Sequence, residues 1–110
     1  MIAETLASIV DRFNRHAERT PAVREELSGL HRTIAVRLTD GESFAVELLD
    51  GKLQNLRPGD PEKVDLRIVT DRATFLGLVH KELGPMKALV TRKMTIEGSL
   101  EDKLLFRKLL

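Results

Sequence analysis

Three short segments of this chain carry large apolar side chains on alternate residues only. They are Ile34-Ala35-Val36-Arg37-Leu38, Phe44-Ala45-Val46-Glu47-Leu48 and Val64-Asp65-Leu66-Arg67-Ile68. Successive side chains of an extended strand point to opposite faces, so each segment offers one greasy face and one small or charged face. Such strands build a sheet that has to be covered on a single side. The cover is present in the same sequence. Ile2, Leu6, Ile9, Val10, Phe13 and Ala17 recur at helical steps, while Glu4, Asp11, Arg12, Arg15 and Glu18 take the other side.

The remaining punctuation orders these parts. Thr20 as N-cap and Pro21 in the first helical position open a short second helix through Leu27, and Ser28-Gly29 ends it. Opposed residues of a hairpin share a face, so pairing Val36 with Val46 and Leu38 with Phe44 leaves a loop of Asp40-Gly41-Glu42. Asp50-Gly51 signals a type I′ turn that sets Leu53 opposite Leu48. Asn55 and Arg57 then fall on the covered face, a polar content that suits an edge strand. The fourth strand, Val64 to Thr70, runs into a helix over Asp71 to Leu83, capped by Thr70 or Asp71. Gly84-Pro85 breaks that helix before the apolar patch Met86 to Val90. Lys93 to Gly98 forms a last strand with Met94 and Ile96 inward, and Ser99 with Asp102 caps a leucine-rich helix from Ser99 to Leu110. The expected fold is α+β, a five-stranded, mainly antiparallel sheet covered on one face by helices. One domain, residues 1–110, is expected.

Several function classes lose support on composition. Lys and Arg total 18 against 17 Asp and Glu, so no broad positive field draws nucleic acid. Four Phe with no Tyr or Trp leave base-stacking platforms essentially absent. With no Cys, a disulfide framework and a thiolate metal site are both ruled out. No apolar run approaches the ~18 residues of a membrane span, and the start Met1-Ile2-Ala3-Glu4 lacks the basic region of a signal peptide. A cytoplasmic location is the expectation.

Candidate chemistry is equally sparse. His16, His31 and His80 lie on different elements without metal-like spacing, so surface histidines are the better reading and no metal or other cofactor is expected. Ser8, Ser28, Ser43 and Ser99 lack a nucleophile-elbow context, and no catalytic residue is assigned. Gly77 sits inside the third helix, where it serves either close helix packing or ligand approach.

From Asp40-Gly41 onward the order of elements resembles the sterol carrier protein type 2 family. The matching residues are the hairpin ending in Asp50-Gly51-Lys52, the strand Val64 to Ile68 and the helix Asp71 to Val79. Leu83-Gly84-Pro85-Met86-Lys87-Ala88-Leu89 and Met94-Thr95-Ile96-Glu97-Gly98-Ser99-Leu100 are similar to that family's turn and last strand. The family usually has a glycine before the last strand, where this chain reads Thr91-Arg92-Lys93. The ending Lys108-Leu109-Leu110 is also not the Ser-Lys-Leu peroxisomal address of some relatives. The resemblance implies an apolar tunnel between sheet and helices that holds a sterol, fatty acid, fatty acyl-CoA or other lipid.

The residues expected to form such a site are Phe75, Leu76, Val79, Leu83, Met86, Leu89, Val90 and Met94, joined by Leu104 and Leu105 of the last helix. Lys87, Arg92 and Lys93 are the candidates to meet a carboxylate or phosphate headgroup. Periodicity by itself favours a filled core; the excess apolar surface of the last helix and the Gly84-Pro85 break shift the balance toward a lipid site. A rigid, empty pocket of ~300 Å³ would cost roughly 7 kcal/mol, about the stability of a whole domain. Such a site therefore holds lipid, holds water at a polar mouth, or collapses. The leading reading is non-enzymatic carriage of an apolar lipid; the alternative is a domain that docks a partner or forms a homodimer through its apolar C-terminal helix.

Overall fold

The computed structural model describes residues 2–109, with side chains described for residues 2–105. The elements are α1 (Ile2–Arg19), α2 (Pro21–Leu27), β1 (His31–Leu38), β2 (Ser43–Leu49), β3 (Lys52–Pro58), β4 (Leu66–Thr70), α3 (Arg72–Val79), α4 (Pro85–Val90), β5 (Met94–Gly98) and α5 (Leu100–Leu109). The five strands form one sheet in the order β3-β2-β1-β4-β5. The sheet is mixed: β1 and β4 run parallel, and the other pairs are antiparallel.

The one-sided pattern of the strands decides which face is covered. Val36, Leu38, Phe44, Ile68 and Met94 pack in one cluster with Ile2 and Leu6 of α1, Phe75 of α3 and Ala88 of α4. On the opposite face the segment after β3 crosses back toward the start of β4. Asp60 in that segment accepts hydrogen bonds from Arg37 at 2.6 Å and Arg67 at 3.0 Å, which pins the crossing to the charged side. A polar face thus serves as an anchor for a connection, while the apolar face serves as the core.

Several local expectations shift in register. The β1–β2 hairpin pairs Val36 with Phe44 and Ile34 with Val46, two residues away from the expected Val36–Val46 and Leu38–Phe44 pairs. Face parity is kept, because a loop displaced by one residue moves every partner by two. The displacement has a tertiary cause at the start of α3. The Arg72 N–H donates to Asp40 Oδ1 at 2.9 Å, and the Arg72 guanidinium lies where any side chain on Gly41 would meet it, paired with Glu42. The same region ties β1 to β4, since the Thr39 N–H donates to the Thr70 carbonyl at 2.9 Å.

In β3 the expected turn is present, with positive φ at Asp50 and Gly51 and Leu48 opposite Leu53. The alternation then breaks. A bulge between Ala45 and Glu47 of β2 leaves Asn55 with φ 58°, a left-handed conformation that Asn tolerates better than most residues. One residue is absorbed there, so Leu56 packs toward the core and Asn55, expected to face it, bonds Glu47 instead. The third helix is also shorter than Asp71 to Leu83. It ends at Val79, after which Lys81 takes φ 60° and the Glu82 and Leu83 N–H groups turn back to the Gly77 carbonyl. Asp71, one of the two cap candidates, accepts the Thr74 N–H at 2.7 Å. Ser99 caps α5 through the Asp102 N–H at 3.1 Å, as expected, but the Thr20 side chain makes no capping bond to α2. The side chains of Phe106, Leu109 and Leu110, assigned by the sequence to the last apolar helix, lie outside the described residues.

Candidate functional site

Between the helices and the sheet lies a cavity of about 360 Å³. Its floor is the apolar face of the sheet, including Val36, Phe44, Val46 and Ile68. One wall is α1, through Leu6, Ile9, Val10 and Phe13; the facing wall is α3, through Phe75, Leu78 and Val79. Leu53 and Leu56 of β3 close the side beneath α1, and Pro85 and Met94 contribute from the far side. The bulge at Asn55 therefore has a direct consequence for the site: without it, Leu56 would turn away from the cavity.

Among the described residues, Thr70 is the only polar side chain in this lining. Its hydroxyl donates to the Lys93 carbonyl at 2.9 Å, which leaves no free donor pointing at a ligand. Among the described residues no carboxylate, imidazole or cation lines the cavity. A charged group buried against these described residues would lose its hydration without a partner, so the lining suits apolar groups.

The expected site residues divide by position. Phe75, Val79 and Met94 line the cavity. Leu76, Leu83 and Leu89 are half-buried and pack against the core outside its wall. Met86 and Val90 lie on the outer face of α4, 58% and 76% exposed. Leu104 is half-exposed on α5, and Leu105 lines a separate depression of about 10 Å³ beside the Arg32–Asp102 ion pair. That depression holds one water at most. Lys87, Arg92 and Lys93 are exposed on α4 and the turn after it, and none lines the cavity.

Sequence reasoning overlooked the α1 wall and the β3 leucines. A signal for α1 was present: Ile9 and Val10 are adjacent, so the apolar stripe is broader than one packing contact requires. Leu56 had no such signal, because strict alternation put it on the solvent side. The histidines stay apart from the cavity, with His31 against Glu47 at 3.0 Å and His80 3.9 Å from Glu82. Among the described residues no group of His, Asp or Glu is arranged to hold a metal ion, and no helix is long and apolar enough to cross a membrane.

Residues 12–110 match the sequence pattern of the SCP-2 sterol transfer family. Among curated proteins none matches this sequence. Several solved structures share the fold. The sec-alkylsulfatase Pisa1 from Pseudomonas sp. superposes with a TM-score of 0.62 at 20% identity over 79% of this chain, which spans only 14% of that enzyme. A crystal structure of sterol carrier protein 2 gives 0.62 at 18% identity, covering 87% of this chain and 81% of that one. Palmitated SCP2L2 from Aedes aegypti gives 0.56 at 20% identity, covering 87% and 86%.

Proposed function

The chain belongs to the SCP-2 sterol transfer family, and from that premise we propose that its cavity binds and carries a single apolar chain, a fatty acyl or isoprenoid group in the first instance. The observation that carries this reading is the cavity itself, about 360 Å³ with Thr70 as the one polar side chain among the described residues that line it. That volume falls within the ~300–1,000 Å³ of ordinary ligand pockets.

The role proposed is carriage rather than catalysis. Among the described residues the wall offers a bound chain no acid or base, and the Thr70 hydroxyl is engaged with the Lys93 carbonyl. The palmitated state of the Aedes aegypti structure supports a fatty acyl occupant by likeness of fold. A second reading rests on a different surface: Leu100 and Leu104, one turn apart on α5, are 74% and 50% exposed, which favours self-association through that helix.

Native mass spectrometry of the protein purified from cells, followed by titration with a fluorescent fatty acid, tests the proposal. A co-purifying lipid and saturable binding are expected, and Val79→Asp, which places a carboxylate in the wall, is expected to abolish binding while the protein stays folded. Undiminished binding by the folded variant would remove this cavity from the reading. A lipid-free dimer that does not take up fatty acid would favour docking through α5.

A further inference from the structure

The helix α4 has two unlike faces. Pro85 lines the cavity and Ala88 is fully buried, whereas Met86 and Val90, one helical turn apart, are 58% and 76% exposed. The charges around this apolar pair are almost all of one sign. Lys81 precedes the helix, Lys87 lies on its outer side, and Arg92 and Lys93 follow it, with Glu82 the only acid between residues 80 and 93. Lys81, Lys87 and Arg92 pair with no carboxylate among the described residues. Lys93 lies near Asp71, whose carboxylate is held chiefly by Thr74 and to a smaller degree by Lys93.

We propose that this face of α4 is a docking surface for an anionic lipid bilayer, with Met86 and Val90 entering the headgroup boundary and the surrounding cations meeting lipid phosphates and carboxylates. Exposed apolar side chains ringed by unpaired cations are the chemistry that such an interface selects. Charge also separates α4 from the other apolar helices. The polar side of α1 balances Glu4, Asp11 and Glu18 against Arg12, Arg15 and Arg19, and on α5 Glu101 and Asp102 offset Lys103, Arg107 and Lys108 to a net charge of +1. Neither concentrates positive charge as residues 81–93 do, with a net charge of +3. The proposal rests on the lipid reading of the cavity for its purpose: Val79 and Pro85 line the cavity on either side of the α3–α4 turn, so a chain entering there leaves the bilayer next to its binding site.

Flotation with vesicles tests the surface separately from the cavity. The full chain is mixed with vesicles of phosphatidylcholine alone or of phosphatidylcholine with phosphatidylserine, at low and raised salt. Wild type is expected to float with the anionic vesicles and to be released by salt. Lys87→Gln and Arg92→Gln should each weaken that binding about fivefold, and the double variant Met86→Ser, Val90→Ser should weaken it at both salt levels. All these variants should bind fluorescent fatty acid in solution as wild type does. Wild type that stays unbound to anionic vesicles, or variants that float as wild type does, would overturn the proposal. So would a dimer that Met86→Ser, Val90→Ser converts to monomer with vesicle binding unchanged, since a second copy would then cover the face. Vesicle binding without fatty acid binding would instead sink the cavity reading and leave the docking surface standing.

Discussion

Asn14 on α1 and Leu53 on β3 are joined by a reciprocal pair of hydrogen bonds, each 2.8 Å: Asn14 Nδ2 donates to the Leu53 carbonyl, and the Leu53 N–H donates to Asn14 Oδ1. The side-chain amide thus takes the place of the neighbouring strand that β3, at the edge of the sheet, does not have. The contact also joins a helix wall of the cavity to its side strand, because Phe13 and Leu53 both line it.

Asn14→Ala should leave both Leu53 backbone groups half-buried without partners, at a cost of about 1–3 kcal/mol. Asn14→Asp keeps an acceptor for the Leu53 N–H but sets a carboxylate oxygen against the Leu53 carbonyl, so it should not restore the stability lost in the alanine variant. Denaturant unfolding measures the cost, and hydrogen exchange at the Leu53 amide should rise in Asn14→Ala well before that of the central strands. An unchanged Leu53 amide would show that the bond does not hold the edge.

A larger side chain at Val10 should fill space rather than strain the core, because Val10 faces the cavity. Val10→Phe is expected to keep or raise the melting temperature and to reduce fatty acid uptake. In a filled core the same change would cost about 1–3 kcal/mol through overpacking. Calorimetry and ligand titration on one variant separate the two cases.

The last helix is held at its first turn by one ion pair. Arg32 Nε donates to Asp102 Oδ1 at 2.8 Å, with the two side chains 26% and 13% exposed. That hydrogen bond is also the main reason the Arg32 guanidinium holds its proton more firmly than usual. Asp102→Ala should speed amide exchange throughout α5 while the sheet amides keep their protection, with a loss of about 1–3 kcal/mol at most. If α5 exchanges no faster, its packing through Leu105 alone seats it.

Acid stability should depend on Asp71 and Asp60. The Thr74 N–H and hydroxyl hold the Asp71 carboxyl below the usual range. At Asp60 burial pushes upward, yet the hydrogen bonds from Arg37 and Arg67 outweigh it and the net shift is downward. A carboxyl that is more acidic folded than unfolded stabilises fully above its unfolded value, about 3.9, and loses that contribution as pH falls through the folded value. Unfolding free energy should therefore stay level from neutral pH down to about 5 and decline below about 4. Asp71→Asn and Asp60→Asn should each flatten this acid decline. Asp71→Ala should cost about 1 kcal/mol at neutral pH as a lost cap.

The parts of the fold that were legible in the sequence are those set by local physics. One-sided strands, the Asp50-Gly51 turn, Pro21 opening α2 and Ser99 capping α5 each follow from side-chain periodicity or from the conformational limits of a few residues. They were enough to foresee five strands with helices on one face and Val36, Val46, Leu66 and Ile68 directed to that face.

What the tertiary structure decided is everything that depends on a distant partner. Arg72, thirty residues away, holds Asp40 and Glu42 and so moves the β1–β2 register by two. The bulge at Asn55 turns Leu56 inward, and no local alternation could announce it because a bulge is a defect in that alternation. The parallel pairing of β1 with β4 joins strands separated by two others in the chain. The cavity depends most on such relations. Its walls come from α1 and α3 at opposite ends of the sheet, and whether two apolar helices touch or stand apart is a matter of their spacing across the floor. Periodicity records that a side chain faces inward; it carries no measure of how far away the opposite wall lies.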